Sequence, residues 1–286
     1  MKWNSTLSHD ILASISEDLK LKIWREDENE SPGSGRRWKV IFRQSSAHAT
    51  VYTSLSFINL QHETFLAIVT RDGLLSLLEP VNALHYDDWK ETDQIWVCGA
   101  SLGRNFVSNF KLAFKPADSI DYYADGGAAG KALTIAVAAL EAVKVYRIVS
   151  TGRDGPYRFH NVAAELGGSR GMVRDVAWAP RSFSPRSLIA TTSVDDYLRI
   201  YQLTPNVHGE NSQSAKSRQP STAVSKSSGI SAGLTGTSRV AADWPAEAGQ
   251  IIYEVKMVAE LKQEGVWKIE WLRGGRHGTS NGCDWR

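Results

Sequence analysis

The chain has 286 residues, 42% hydrophobic and 22% charged, with 33 basic against 31 acidic side chains. So even a balance carries no electrostatic footprint for nucleic acid or an anionic membrane surface, and two cysteines are too few for a disulfide framework and suit a reducing compartment. The longest apolar run, Ala132 to Leu140, is about half the length of a membrane helix, and Ile11 to Ser16 is short and soon followed by Glu17 and Asp18, unlike the core of a secretion signal. The chain is therefore expected to be soluble and intracellular. Its ten tryptophans and nine tyrosines favour β structure.

From the N-terminus the elements repeat in a two-part cadence. Trp3-Asn4 reads as the end of a strand, so the chain is expected to begin inside a repeat. Ile11 to Ser16, an acidic turn at Glu17-Asp18 and Leu19 to Trp24 then read as strand, turn, strand. The acidic run Glu26, Asp27, Glu28 and Glu30, answered by Arg36 and Arg37, reads as a solvated loop. Val51 to Phe57 alternates with period two, as a half-buried strand does. The hairpin Phe65 to Thr70, Arg71-Asp72-Gly73, Leu74 to Leu78 follows, then a strand at Trp89 to Val97. Asp18 and Asp72 are 54 residues apart.

The next repeat has an alternating strand at Val107 to Pro116 and a weaker hairpin, Leu133 to Ala138 with Val143 to Tyr146. Leu140 replaces the turn aspartate there, which predicts an irregular hairpin. Tyr157 to Leu166 is its outer strand. Val173 to Pro180 opens a further repeat, with hairpin Leu188 to Ser193, Val194-Asp195-Asp196, Tyr197 to Tyr201. From Asn206 to Gly249 the 44 residues include nine Ser and five Gly and few large apolar side chains, which predicts a disordered insertion at residues 206–249. Tyr253 to Leu261 and Val266 to Trp271 resume the strand pattern. Residues 273–286 make no strand pair and read as a tail foreign to the repeat.

Four strands per period with no helical pattern between them predicts an all-β propeller occupying residues 1–286. Leu12-Ala-Ser, Asp18 and Ile23-Trp24, like Ile189-Ala-Thr, Asp195 and Ile200-Tyr201, resemble WD40 repeats. The order of Val173 to Pro180, Leu198 to Pro205, the insertion, Tyr253 to Leu261 and Val266 to Trp271 resembles the Seh-type WD40 nucleoporins. These are small propellers of the Y-shaped nuclear pore scaffold, similar to the Sec-type propeller of the vesicle coat. The family has six blades. At 54 residues per repeat, this chain supplies about four and a half outside the insertion, so it is expected to be an incomplete propeller, truncated at both ends.

The resemblance implies a non-enzymatic scaffold subunit of the nuclear pore outer ring, supporting protein and mRNA transport at the nuclear envelope. It implies a helical outer-ring nucleoporin as partner, contributing a blade beside the first. It also implies a second role with vacuole-associated subunits that regulate TORC signalling, at the vacuole periphery and in the cytoplasm. The alternatives are a vesicle-coat scaffold of endoplasmic reticulum export and, from another class, a propeller hydrolase with carboxylates converging on the central channel. The strands offer Ala, Ser, Thr and Val at channel positions, against the hydrolase.

No catalytic, cofactor or metal residues are expected, and no nucleic-acid binding or membrane insertion. Histidines and cysteines lack metal-ligand spacing. Gly167-Gly-Ser-Arg-Gly171 fits the nucleophile elbow G-x-S-x-G but precedes a strand pattern where that chemistry needs a helix. Gly130-Lys131 lacks the glycine and hydroxyl of a phosphate loop. The residues singled out are structural repeat positions: the turn aspartates Asp18, Asp72 and Asp195, the strand-end aromatics Trp24, Tyr146 and Tyr201, and Trp178, Trp267 and Trp271, which are expected to pack between blades. His48 stands where a WD40 loop histidine hydrogen-bonds the turn aspartate, here Asp72. Partner-contact residues are not identifiable.

Overall fold

Short alternating runs separated by polar turns should fold into local antiparallel sheets, and in the computed structural model they do. It describes residues 1–5, 10–60, 63–82, 85–103, 108–116, 132–150, 155–180, 186–207 and 251–271. Blade 1 comprises β1 (Lys2–Ser5), β2 (Asp10–Ile15), β3 (Lys20–Glu26) and β4 (Trp38–Ser45). Blade 2 comprises β5 (Tyr52–Leu60), β6 (Glu63–Thr70), β7 (Leu74–Pro80) and β8 (Trp89–Trp96). Blade 3 is β9 (Lys111–Phe114), β10 (Ala132–Ala139), β11 (Ala142–Ser150) and β12 (Tyr157–Leu166); blade 4 is β13 (Val173–Trp178), β14 (Ser187–Ser193), β15 (Tyr197–Val207) and β16 (Ile251–Lys262). Each blade is one four-stranded sheet whose strands pair in sequence order. The innermost strands β1, β5, β9 and β13 touch in succession. This is the WD40-type propeller, with four blades among the described residues. None of their helices is long and apolar enough to cross a membrane.

The middle strands read as unbroken apolar runs because both their faces are buried. In β6, Phe65, Ala67 and Val69 pack toward blade 3 while Leu66 and Ile68 pack toward blade 1. In β10, Leu133, Ile135 and Val137 face blade 2, and Ala136 and Ala138 face blade 4. The core is thus a series of layers between neighbouring sheets. Between the third and outermost strands, every blade shifts register, at Ile23/Trp24, Leu77/Leu78, Val145/Tyr146 and Ile200/Tyr201. Bulges there twist the exposed outer strand, which also disfavours edge-to-edge aggregation.

Four sequence expectations need correction. The hairpin at Leu140 is regular: β10 and β11 pair without a break to Ala139 opposite Ala142, and Leu140 serves the tight turn by adopting φ 56°. The insertion was expected to begin at Asn206, but β15 continues to Val207, which pairs with Ile251, so backbone pairing extends the strand past the last apolar run. The strand expected from Val107 forms as β9, from Lys111 to Phe114. The outer strand of blade 1, β4, was not foreseen beyond the charged loop. Residues 208–249 of the insertion, the tail 273–286 and Gly130-Lys131 lie outside the described residues.

Candidate partner-binding faces

The repeat positions come first, because they set which surfaces are free. The turn aspartates organise their hairpins to different degrees. Asp18 is exposed, accepting from the Lys20 N–H at 3.2 Å and the Lys22 ammonium at 3.2 Å. Asp72 is buried. Its carboxylate accepts from the Thr70 hydroxyl at 2.5 Å and the Ser101 hydroxyl at 3.3 Å. His48 does not reach it: the imidazole is exposed and lies against Trp96, ring centroids 5.6 Å apart. Two hydroxyls meet the buried carboxylate's need for donors, which corrects the expected histidine pairing.

Asp195 has the fullest partner set. It accepts from the N–H of Arg170 at 2.8 Å and of Tyr197 at 3.1 Å, from the Ser193 hydroxyl, and from Arg199 at 3.1 and 2.7 Å. Arg199 is 1% exposed, also donates from Nε to Glu260 at 2.9 Å, and lies over the Tyr197 ring. Burial pushes the Asp195 carboxyl up, but the Arg199 pair and the other donors outweigh it and hold the group far below the usual carboxylate range. Sequence pattern alone does not single out this buried cation. The elbow-like Gly167 to Gly171 leads into β13 rather than a helix, and its Arg170 N–H ties it to Asp195, a structural role.

The aromatics divide. Trp24 donates its indole N–H to Ser14 at 2.8 Å within blade 1. The Tyr146 hydroxyl reaches the Val97 carbonyl at 3.4 Å, and the Tyr201 hydroxyl reaches Gly167 at 2.8 Å. Trp178 donates to the Ala113 carbonyl at 2.9 Å, and Trp271 repeats this one blade on, to Ala177 at 3.1 Å. The Ile269 N–H donates to Asp175 Oδ2 at 2.9 Å. The strand expected at Val266 to Trp271 does not form, yet residues 267–271 lie against β13 through these hydrogen bonds, as β13 lies against β9. Trp267 departs from expectation: it is 70% exposed and stacks on the Arg174 guanidinium, 4.2 Å from the ring centroid. It sits on the surface, held by a cation instead of by a neighbouring blade.

The innermost strands line an open cavity of about 690 Å³. Its walls carry small residues such as Ser54, Ser56, Ala113 and Ala177, as expected, but also Lys2, Lys111, Asp175, Lys268 and Glu270. Burial raises the Asp175 carboxyl; the N–H groups of Ile269 and Val176 and the nearby Lys111 and Lys2 oppose it. Glu270 is paired with Lys268. Among the described residues no group of three or more His, Cys, Asp and Glu could hold a metal ion. Lysines interleave with two carboxylates already engaged, so among the described residues no acid and base converge there.

One sheet face stands out instead. The side of blade 1 turned from blade 2 presents Trp3, Leu12, Trp24 and Trp38, aligned across β1 to β4 by the register Trp3–Leu12–Trp24 and Glu26–Trp38. Trp3 is 52% exposed and meets Trp38 edge-on at 5.1 Å. The opposite side of the same sheet is fully buried at Ile11, Ala13, Leu21 and Ile23. A tryptophan-rich sheet face of this kind suits a protein partner.

No model of a known protein family matches the chain. Nucleoporin SEH1 of Saccharomyces cerevisiae is 27% identical over 284 residues, covering 99% of this chain and 75% of that protein. Nucleoporin SEH1 of Chaetomium thermophilum is 28% identical over 186 residues, 59% of this chain and 35% of its own. Protein transport protein sec13 of Aspergillus clavatus is 31% identical over 201 residues, 70% of this chain and 62% of its own. The chain thus spans from 35% to 75% of the length of these relatives. Sequential four-stranded sheets and similarity to both groups of proteins lead to one conclusion: the chain is a WD40-type propeller similar to the Seh1 nucleoporins and the sec13 transport proteins.

Proposed function

We propose that the protein is a non-enzymatic scaffold subunit of the nuclear pore outer ring at the nuclear envelope. The observation that carries this reading is the similarity to a nucleoporin along 99% of the chain. A helical outer-ring nucleoporin is the proposed partner, adding a blade against Trp3, Leu12, Trp24 and Trp38 of blade 1. Burying three tryptophans would give such a contact a central apolar anchor. Work in a vacuole-associated complex of the TORC pathway, at the vacuole periphery and in the cytoplasm, is a second setting for the same face.

The competing reading is a vesicle-coat scaffold, favoured by the 31% identity to a sec13 protein over 70% of the chain. Affinity purification of the tagged full chain separates the two. Outer-ring nucleoporins should copurify and be lost from Trp3→Asp/Trp24→Asp. Recovery of vesicle-coat subunits without any outer-ring nucleoporin would overturn the proposal.

A further inference from the structure

A second surface, remote from blade 1, is a groove of about 590 Å³ where blades 2, 3 and 4 meet. Its floor is apolar, formed by Cys98 after β8, Ala139 and Leu140 of the β10–β11 turn, and Met172 before β13. Leu140 holds a left-handed backbone, φ 56°, a region that leucine adopts only at a cost. Its carbonyl accepts the Val173 N–H at 2.6 Å, so blade 4 braces the turn that places this side chain in the groove. The left-handed residue belongs to the hairpin turn, recurring at Leu19, Gly73 and Asp196 in the other blades; what is particular here is that it carries a leucine into the groove.

The rim carries the second observation. Glu141 and Glu165 line the groove and are exposed. Among the described residues lining the groove, the one cation, Lys144, is committed elsewhere: its ammonium donates to the Val97 carbonyl at 2.9 Å. Lys144 and Glu165 are cross-strand neighbours, yet no ion pair joins them, and neither glutamate has an ion-pair partner among the described residues. The groove therefore combines an apolar floor with two uncommitted negative charges.

We propose that this groove binds a short peptide segment of a partner protein in which apolar side chains alternate with arginine or lysine. The apolar residues cover Leu140, Met172 and Cys98, and the basic ones pair with Glu141 and Glu165. The inference does not depend on the partner assigned to blade 1, since no residue is shared.

The test uses the full chain with Cys283→Ser, which leaves Cys98 as its single thiol. The probe is a fluorescein-labelled hexapeptide alternating leucine and arginine; its control alternates leucine and glutamate. The arginine peptide should bind and, at saturation, slow alkylation of Cys98 by a maleimide several-fold. Glu141→Gln/Glu165→Gln, at exposed positions and with an unchanged melting curve, should weaken binding about fivefold. The proposal is overturned by no binding of the arginine peptide, by equal binding of the glutamate peptide, by unchanged affinity in the double variant, or by binding that leaves Cys98 alkylation unchanged. Failure here would leave the copurification result untouched, and the reverse holds too.

Discussion

Replacing Arg199 with methionine removes a guanidinium that is 1% exposed while keeping most of the volume of its stem. Asp195, its main partner, has a side chain only 9% exposed and would remain charged beneath β15. Breaking one side of a buried pair costs about 3 to 5 kcal/mol. Asp195 would keep the Arg170 and Tyr197 N–H groups and the Ser193 hydroxyl, so the expected loss is at the low end, about 3 kcal/mol. For a chain of this size that is a fall in Tm of roughly 6 to 12 °C. Glu260 is half-exposed and loses little when left to water. Urea and thermal denaturation followed by circular dichroism should show the loss for Arg199→Met. Adding Asp195→Asn should restore stability to within about 1 kcal/mol of the wild type, because no buried charge is then stranded.

The pH dependence has a definite sign. The Asp195 carboxyl is depressed in the folded protein below its ordinary 3.8, so its stabilisation is complete above about pH 4 and drains away as the pH falls through and below that value. Arg199→Met should flatten this acid limb. A loss below about 1 kcal/mol in Arg199→Met, or a double variant less stable than the single, would refute the reasoning.

Two further outcomes test the seams and turns. Gly73 has φ 92°, and a Cβ there would stand 3.2 Å from Phe110 Cζ; Gly73→Ala should cost about 1 to 2 kcal/mol in urea unfolding, and a neutral effect would contradict the strained turn. Trp178→Phe removes the hydrogen bond to Ala113 together with part of the indole's packing, so it should cost about 2 kcal/mol, with Trp271→Phe costing less because its indole is less buried; the reverse order would undo the seam description.

The hairpins were legible because both faces of a middle strand are apolar and the turns between them are polar. Phe65 to Thr70 with Leu74 to Leu78, and Leu188 to Ser193 with Tyr197 to Tyr201, fall on β6–β7 and β14–β15 for that reason. What pattern could not supply was pairing at a distance. Arg199 reads as a surface residue, since arginine seldom is buried without a partner; the clue was Asp195 four residues earlier across a turn. His48 was assigned by position, yet Asp72 takes hydroxyls that lie in hydrogen-bonding reach. Trp267 reads as a seam residue by analogy with Trp178, but residues 266–271 form no strand and its ring lies on the surface over Arg174. The strand β4 hid behind charged flanks. The tryptophan face of blade 1 needed strand register to assemble, because Trp3, Trp24 and Trp38 come from three separate strands.

Among the described residues every hydrogen-bonded strand pair joins consecutive strands, so each of the four blades is assembled from strands in the order they are made. Each sheet can form in turn as the polypeptide emerges during synthesis, the fresh apolar face of one blade being the template for the next. Blade 4 is the exception in timing. Its outer strand β16 lies 43 residues beyond the end of β15, and drawing those ends together from the unfolded chain costs about 3 kcal/mol more than closing a two-residue turn. Capture of β16, with Glu260 arriving at Arg199, is accordingly the late event of that blade's folding, and the interval before it is when the partly built sheet is most exposed to misassociation.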